Sequence, residues 1–142
     1  MGKVMAKIKL QNAVDLASAR TGHLRPDQVR SLEMEGLVDT GATLLVIPEE
    51  SAAFLGLPTV GTRPIKLADG RIRSFPVVGD LRIEILGRGM STDAVVMPIG
   101  TTILIGQVVL ETLDLVVDPK SRDVLVNPAH PDGPLAEALT AA

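Results

Sequence analysis

The residues best suited to chemistry are Asp39-Thr40-Gly41, inside the stretch GLVDTGATLLVIP at positions 36–48. Leu37 and Val38 precede the aspartate, and Leu44, Leu45, Val46 and Ile47 follow the turn. A carboxylate loses solvation among aliphatic side chains and normally avoids them. Kept there, it can take or give a proton in a reaction. The rest of the chain offers few alternatives. Cysteine is absent, which excludes a thiol nucleophile, a disulfide and thiolate metal sites. His23 and His130 are far apart and have no metal-ligand spacing, so neither a metal nor a cofactor is expected. No other aspartate is followed by Thr-Gly or Ser-Gly.

Two readings of this stretch compete with proton transfer at Asp39. The first is a plain tight turn, since Asp and Gly are turn formers and a Thr hydroxyl can bond its own backbone. The second is a phosphate loop, because sugar kinases related to actin have a similar Asp-x-Gly-x-Thr turn. That fold needs a much longer chain and a second acidic phosphate motif, and neither is present. A Walker loop is excluded because no Gly-Lys-Ser/Thr occurs.

The elements that must position Asp39 read mostly as strands. Val4, Ala6, Ile8 and Leu10 alternate with Met5, Lys7 and Lys9, the period of a half-buried strand. Residues 11–28 are more polar and read as a long hairpin connection or a short capped turn, with Asn12 and Asp27 as candidate caps. Val29 to Val38 reads as a strand entering Asp39, and Leu44 to Ile47 as one leaving the turn. Pro48 with Glu49 and Glu50 starts a short helix that Gly56 ends. Ile65 to Ala68 and Ile72 to Val78 flank Asp69-Gly70, a strong hairpin signal. Leu81, Ile83 and Ile85 alternate with Arg82 and Glu84, Gly87-Arg88-Gly89 reads as a turn, and Thr92 to Met97 returns. A second short helix follows Ile103-Leu104-Ile105, and Leu113 to Val117 and Val124 to Val126 form a last strand pair around a Pro119 turn. About eight strands and two helices suggest an all-β, barrel-like sheet.

Composition agrees. Of 142 residues only Phe54 and Phe75 are aromatic, so the core must be aliphatic. Residues 1–126 read as one domain and 127–142, rich in Pro and Ala, as a mobile tail. The formal net charge of −3 and the lack of an aromatic platform argue against nucleic acid as a partner. The N-terminus lacks a signal peptide's apolar core, and no run approaches a membrane span. The expectation is a soluble cytoplasmic protein with no membrane partner.

Taken in order, these features resemble the retropepsins, the single-lobed aspartic proteases of retroviral type, and their small bacterial members most of all. Leu37-Val38-Asp39-Thr40-Gly41-Ala42 looks like the active-site strand and loop of that family. The Asp69-Gly70 hairpin falls where the family has its flap, which here would comprise Leu67, Ala68, Asp69, Gly70 and Arg71. Leu104, Ile105 and Gly106 resemble the second signature, two apolar residues and a Gly that support the active-site loop. The resemblance covers roughly residues 29–126 and implies a closed β-barrel of one lobe. It implies Asp39 as the catalytic residue, with Thr40, Gly41 and Ala42 shaping its loop.

The resemblance implies further that the chain carries half a site, because only one such aspartate exists. A two-fold homodimer would bring two copies of Asp39 together around one water. At ~4 Å and an effective dielectric near 20, two carboxylates repel by about 4 kcal/mol, enough to keep one protonated in mildly acidic solution. This is the established logic of aspartic protease dyads. The expected function is an endopeptidase acting on peptides or a protein, with a non-catalytic dimeric peptide-binding module as the alternative.

The sequence departs from the retroviral pattern in two places. Gln107 stands where an Arg follows the second signature, so that salt bridge is missing. The flap tip has one Gly and two charges instead of a glycine-rich run. Arg63, Lys66, Arg71 and Arg73 cluster around this hairpin. A solvated strand face and a preference for acidic substrate residues both fit them. Pro98, Ile99, Thr101, Thr102 and Leu104 could line a specificity pocket or belong to the core.

Overall fold

The computed structural model describes residues 3–138. Strand β1 (Met5–Asn12) buries Ala6, Ile8 and Leu10 and exposes Met5 and Lys7, as the alternation requires. It pairs antiparallel with β2 (Ser31–Val38), from Met5 opposite Leu37 to Gln11 opposite Ser31. Beyond Asp39 the chain returns as β3 (Val46–Pro48) and helix α2 (Glu49–Leu55). That helix ends on Gly56 in the left-handed region (φ 64°), where Gly56 and Leu57 donate to the Ala53 and Ala52 carbonyls. Then come β4 (Thr59–Lys66), β5 (Ile72–Ile85), β6 (Arg88–Met97), the two-residue β7 (Leu104–Ile105) and helix α3 (Gln107–Thr112).

The sheet order is β1-β2-β7-β3-β6-β5-β4, and β1 also pairs with β5. Six strands therefore close into a ring, and β4 hangs outside it on β5. The ring mixes parallel and antiparallel pairs and has a two-residue member, so it is a closed ring of strands more than a regular barrel. This is the all-β single-lobe architecture the sequence implied. Its core is aliphatic, led by Leu10, Leu45, Ile47, Leu81, Ile83 and Ile105, while Phe54 is exposed.

Several local expectations need correction. Residues 11–28 contain an α-helix, α1 (Ala13–Arg20), in addition to a 3-10 turn at Pro26–Gln28. No residue of α1 is buried, so it has no apolar stripe that a sequence could reveal. Its start is held by Asn12, which is buried. The Asn12 Oδ1 accepts the Asp15 N–H at 2.9 Å, and its Nδ2 donates to the Leu55 carbonyl at 2.8 Å. Asn12 was a candidate cap and acts as one; Asp27 does not cap, since Arg25 occupies the cap position of the 3-10 turn. Replacing Asn12 with Ala should lower stability by about 1–3 kcal/mol, read as a lower urea midpoint at unchanged slope.

The segment read as two strands is one strand of 14 residues. A bulge between Val78 and Leu81, with Asp80 at φ 55°, bends it. Its first half pairs with β4 and its second half with β1. The Asp69-Gly70 hairpin is thus an extension of a ring strand. The next turn is at Leu86-Gly87, both with positive φ, as in a type I′ hairpin. Arg88 is not in the turn. It opens β6, is buried, and donates to the carbonyls of Leu113, Asp114 and His130.

Strands β8 (Leu115–Asp118) and β9 (Asp123–Val126) form a separate antiparallel pair. Residues 127–135 then fold back on Asp114. Its carboxylate accepts from Asn127 Nδ2 at 3.0 Å and the Leu135 N–H at 3.2 Å, and lies 2.6 Å from His130 Nδ1. The Asn127 amide, followed by the Leu135 N–H and His130, holds the Asp114 carboxyl below the usual aspartate range. The stabilisation is therefore present above the ordinary aspartate pKa and disappears as pH falls through the lowered value. Tm measured against pH should fall less steeply below about pH 4 for Asp114→Asn than for the wild type.

Candidate active site

The site is built by a crossing of short strands. β7 lies between β2 and β3, parallel to the first and antiparallel to the second. Leu37 pairs with Leu104 and Val38 with Ile105, and Val46 faces Leu104 from the other side. The chain must therefore leave β2, pass over the end of β7, and re-enter on its far side. Residues 39–45 are that passage. Asp39 sits at its start, half-buried, with its N–H on the Ile105 carbonyl at 3.0 Å.

The turn is fixed by its own backbone. Ala42 N–H donates to the Asp39 carbonyl at 3.0 Å, and Gly41 N–H donates to Asp39 Oδ1 at 3.0 Å. A Cβ at position 41 would lie 3.2 Å from the same oxygen, so Gly gives the carboxylate room. From the other signature, Gln107 N–H donates to the Ala42 carbonyl at 2.8 Å and Val108 N–H to the Thr43 carbonyl at 3.1 Å. Gly106 makes this approach possible. A Cβ there would lie 2.6 Å from the Leu44 carbonyl oxygen and 2.8 Å from that of Thr43. Thr40 is exposed at the outer edge of the turn. Where an Arg was missing, the Gln107 amide donates to Glu111 Oε1 at 2.9 Å along α3.

A cleft of about 700 Å³ opens over Asp39. Its floor and walls come from Asp39, Gly41, Ala42, Leu44, Val46 and Leu104, with Val95 and Met97 of β6 beside them. Residues 63–68, from β4 and the start of the hairpin loop, complete its lining. The hairpin read from Asp69-Gly70 therefore lines the same cleft as Asp39. The Gly70 N–H closes its tip on the Leu67 carbonyl at 2.9 Å, and Arg71 pairs with Asp69 at 2.6 Å.

The structure brings together Asp39, Gly41, Ala42, Leu67, Ala68 and Leu104 around the cleft. Asp69, Gly70 and Arg71 form the tip beyond it, and Ile105 and Gly106 lie behind the loop they support. Of the residues before α3, Leu104 lines the cleft. Ile103 is in the core, and Ile99 is 75% exposed on a loop pinned by Glu50 through the Gly100 N–H. Val95 and Met97 were not singled out from the sequence. Their alternation on β6 puts them on one face, but only the β3–β6 pairing turns that face toward Asp39.

Among the described residues no helix is long and apolar enough to cross a membrane. No curated protein sequence matches the chain significantly. Residues 26–127, which include Asp39, the Asp69-Gly70 hairpin and Gly106, match the model of a family described as aspartyl protease, and the chain belongs to this retropepsin-like aspartic protease family.

Proposed function

We propose that the protein is an aspartic endopeptidase that acts as a homodimer, with the Asp39 carboxyls of two protomers sharing one water. The observation that carries this reading is the half-buried Asp39 in a cleft that it shares with the aliphatic Leu44, Val46, Val95 and Leu104 and with the β4 side of a β-hairpin. One protomer offers a single carboxyl there, and a two-fold axis beside the exposed Thr40 supplies the second without further sequence.

The ionised carboxyl takes a proton from the water as its oxygen attacks the scissile carbonyl carbon. The protonated carboxyl meanwhile donates to the carbonyl oxygen, giving a tetrahedral diol. The leaving nitrogen then takes a proton from the dyad as the C–N bond breaks. One hydroxyl of the diol gives its proton back to the dyad as the new C=O forms, so a carboxylic acid and an amine are released and the dyad again holds a single proton. The Gly41 N–H keeps the carboxylate oriented throughout.

The test is cleavage of a peptide library by the full chain between about pH 4 and pH 6, where two crowded carboxyls hold one proton between them. Discrete cleavage products are expected, and a peptide whose hydroxyl mimics the tetrahedral intermediate should suppress them. Cleavage indifferent to that ligand would contradict the mechanism. Absence of cleavage at concentrations where the protein is dimeric would contradict the function.

A further inference from the structure

The hairpin beside the cleft differs in charge from the rest of the molecule. Four of the chain's fourteen Lys and Arg residues fall within residues 63–73, with one acid, Asp69, while the whole chain has net charge −3. The structure separates these cations by environment. Arg71 is paired with Asp69, and the Arg73 guanidinium rests 5.6 Å over the Phe75 ring. Arg63 and Lys66 line the cleft itself and have no ion-pair partner among the described residues. Asp39 is the one acid among the described residues lining that cleft.

We infer that the cleft selects peptides with acidic side chains flanking an apolar scissile pair, and that Arg63 and Lys66 are the residues that recognise them. The inference rests on the proposed protease reading and names its substrate class. The apolar part follows from the floor, where Leu44, Val46, Val95, Met97 and Leu104 surround Asp39. An acid placed there would face a dyad that already carries a shared negative charge. Further along the extended peptide, the β4 wall offers two cations with no ion-pair partner among the described residues, and a Glu or Asp side chain can meet them. The negative charge of the remaining surface disfavours nucleic acid as the anion.

The experiment uses the full-length protein and peptides that share an apolar core and carry Glu, Gln or Lys at the flanking positions. At about pH 5.5 the Glu side chain is ionised, since its ordinary pKa is roughly 4.3. Binding of fluorescent peptides by anisotropy and kcat/KM for cleavage are measured in parallel. The Glu peptide should exceed the Gln peptide about fivefold to tenfold at low salt, with the advantage shrinking toward onefold at about 0.5 M salt. The double variant Arg63→Gln, Lys66→Gln should bring the ratio toward one. The charge reversal Arg63→Glu, Lys66→Glu should turn the preference toward Lys peptides, an outcome that loss of folding cannot mimic. Equal binding of Glu and Gln peptides by the wild type, or binding of none, would overturn the inference. If neutral peptides are cleaved well without an acidic preference, the substrate class fails and the protease reading stands. If no peptide is cleaved yet acidic ones bind preferentially, the protease reading fails and the selectivity stands.

Discussion

Asp39→Asn is expected to reduce peptide cleavage by at least about a thousandfold, because an amide can neither take the proton of the attacking water nor share one across the dyad. The same substitution should leave the fold intact. Asn is isosteric with Asp, and its Oδ1 can still accept the Gly41 N–H that Asp39 Oδ1 accepts at 3.0 Å. It should also tighten the dimer near neutral pH. Two ionised carboxylates at ~4 Å repel by about 4 kcal/mol at an effective dielectric near 20, and the amide pair does not. A variant that loses activity while its dimer dissociates at equal or lower concentration than the wild type identifies the carboxyl as chemical and not architectural. A variant that cleaves as well as the wild type would assign the observed activity to another protein.

Gly106→Ala should be the most damaging methyl group that can be added to the loop support. The new Cβ would meet the Leu44 carbonyl oxygen at 2.6 Å and the Thr43 carbonyl carbon at 2.7 Å. Both are backbone atoms, so no rotamer can relieve the contact. The loop would have to move away from α3, stretching the bonds from Gln107 N–H to Ala42 and from Val108 N–H to Thr43. Overpacking of this kind should cost about 3 kcal/mol, lowering Tm by roughly 10 °C. Activity should fall more than stability alone explains, because Ala42 and Thr43 belong to the loop that orients Asp39. Gly61→Ala is the matching control, since its Cβ would have nothing within 4 Å. Calorimetry of the two variants side by side separates a steric requirement at position 106 from a general cost of replacing glycine.

Features written in local chemistry were legible in the sequence. The alternation of Ala6, Ile8 and Leu10 gave the buried face of β1, and Pro48 to Gly56 bounded α2. Asp69-Gly70 located the β4–β5 hairpin. Asp39-Thr40-Gly41 and Ile105-Gly106 marked the two segments that the fold joins through backbone hydrogen bonds. Features that depend on distant partners were not legible. Helix α1 has no buried residue and so no periodic stripe, and its cap is tied to Leu55, 43 positions away. Arg88 looked like a turn residue between two glycines because its carbonyl acceptors come from residues 113, 114 and 130. Closure of the ring by β1 and β5 and the turning of Val95 and Met97 toward Asp39 are likewise tertiary outcomes. The charge of the hairpin was visible, but only the cleft lining and the ion pairs distinguish Arg63 and Lys66, unpaired among the described residues, from the paired Arg71.

The central claim, that one active site is made from Asp39 of two chains, is tested most directly by mixing. Wild-type protein is unfolded and refolded, or equilibrated to exchange subunits, with increasing Asp39→Asn, and cleavage is followed per wild-type chain. If each site needs both carboxyls, random pairing leaves roughly half the activity at equal amounts and about a tenth at ninefold excess of the variant. Activity per wild-type chain that stays constant at every ratio, with exchange verified, would show that one chain suffices and would contradict the account.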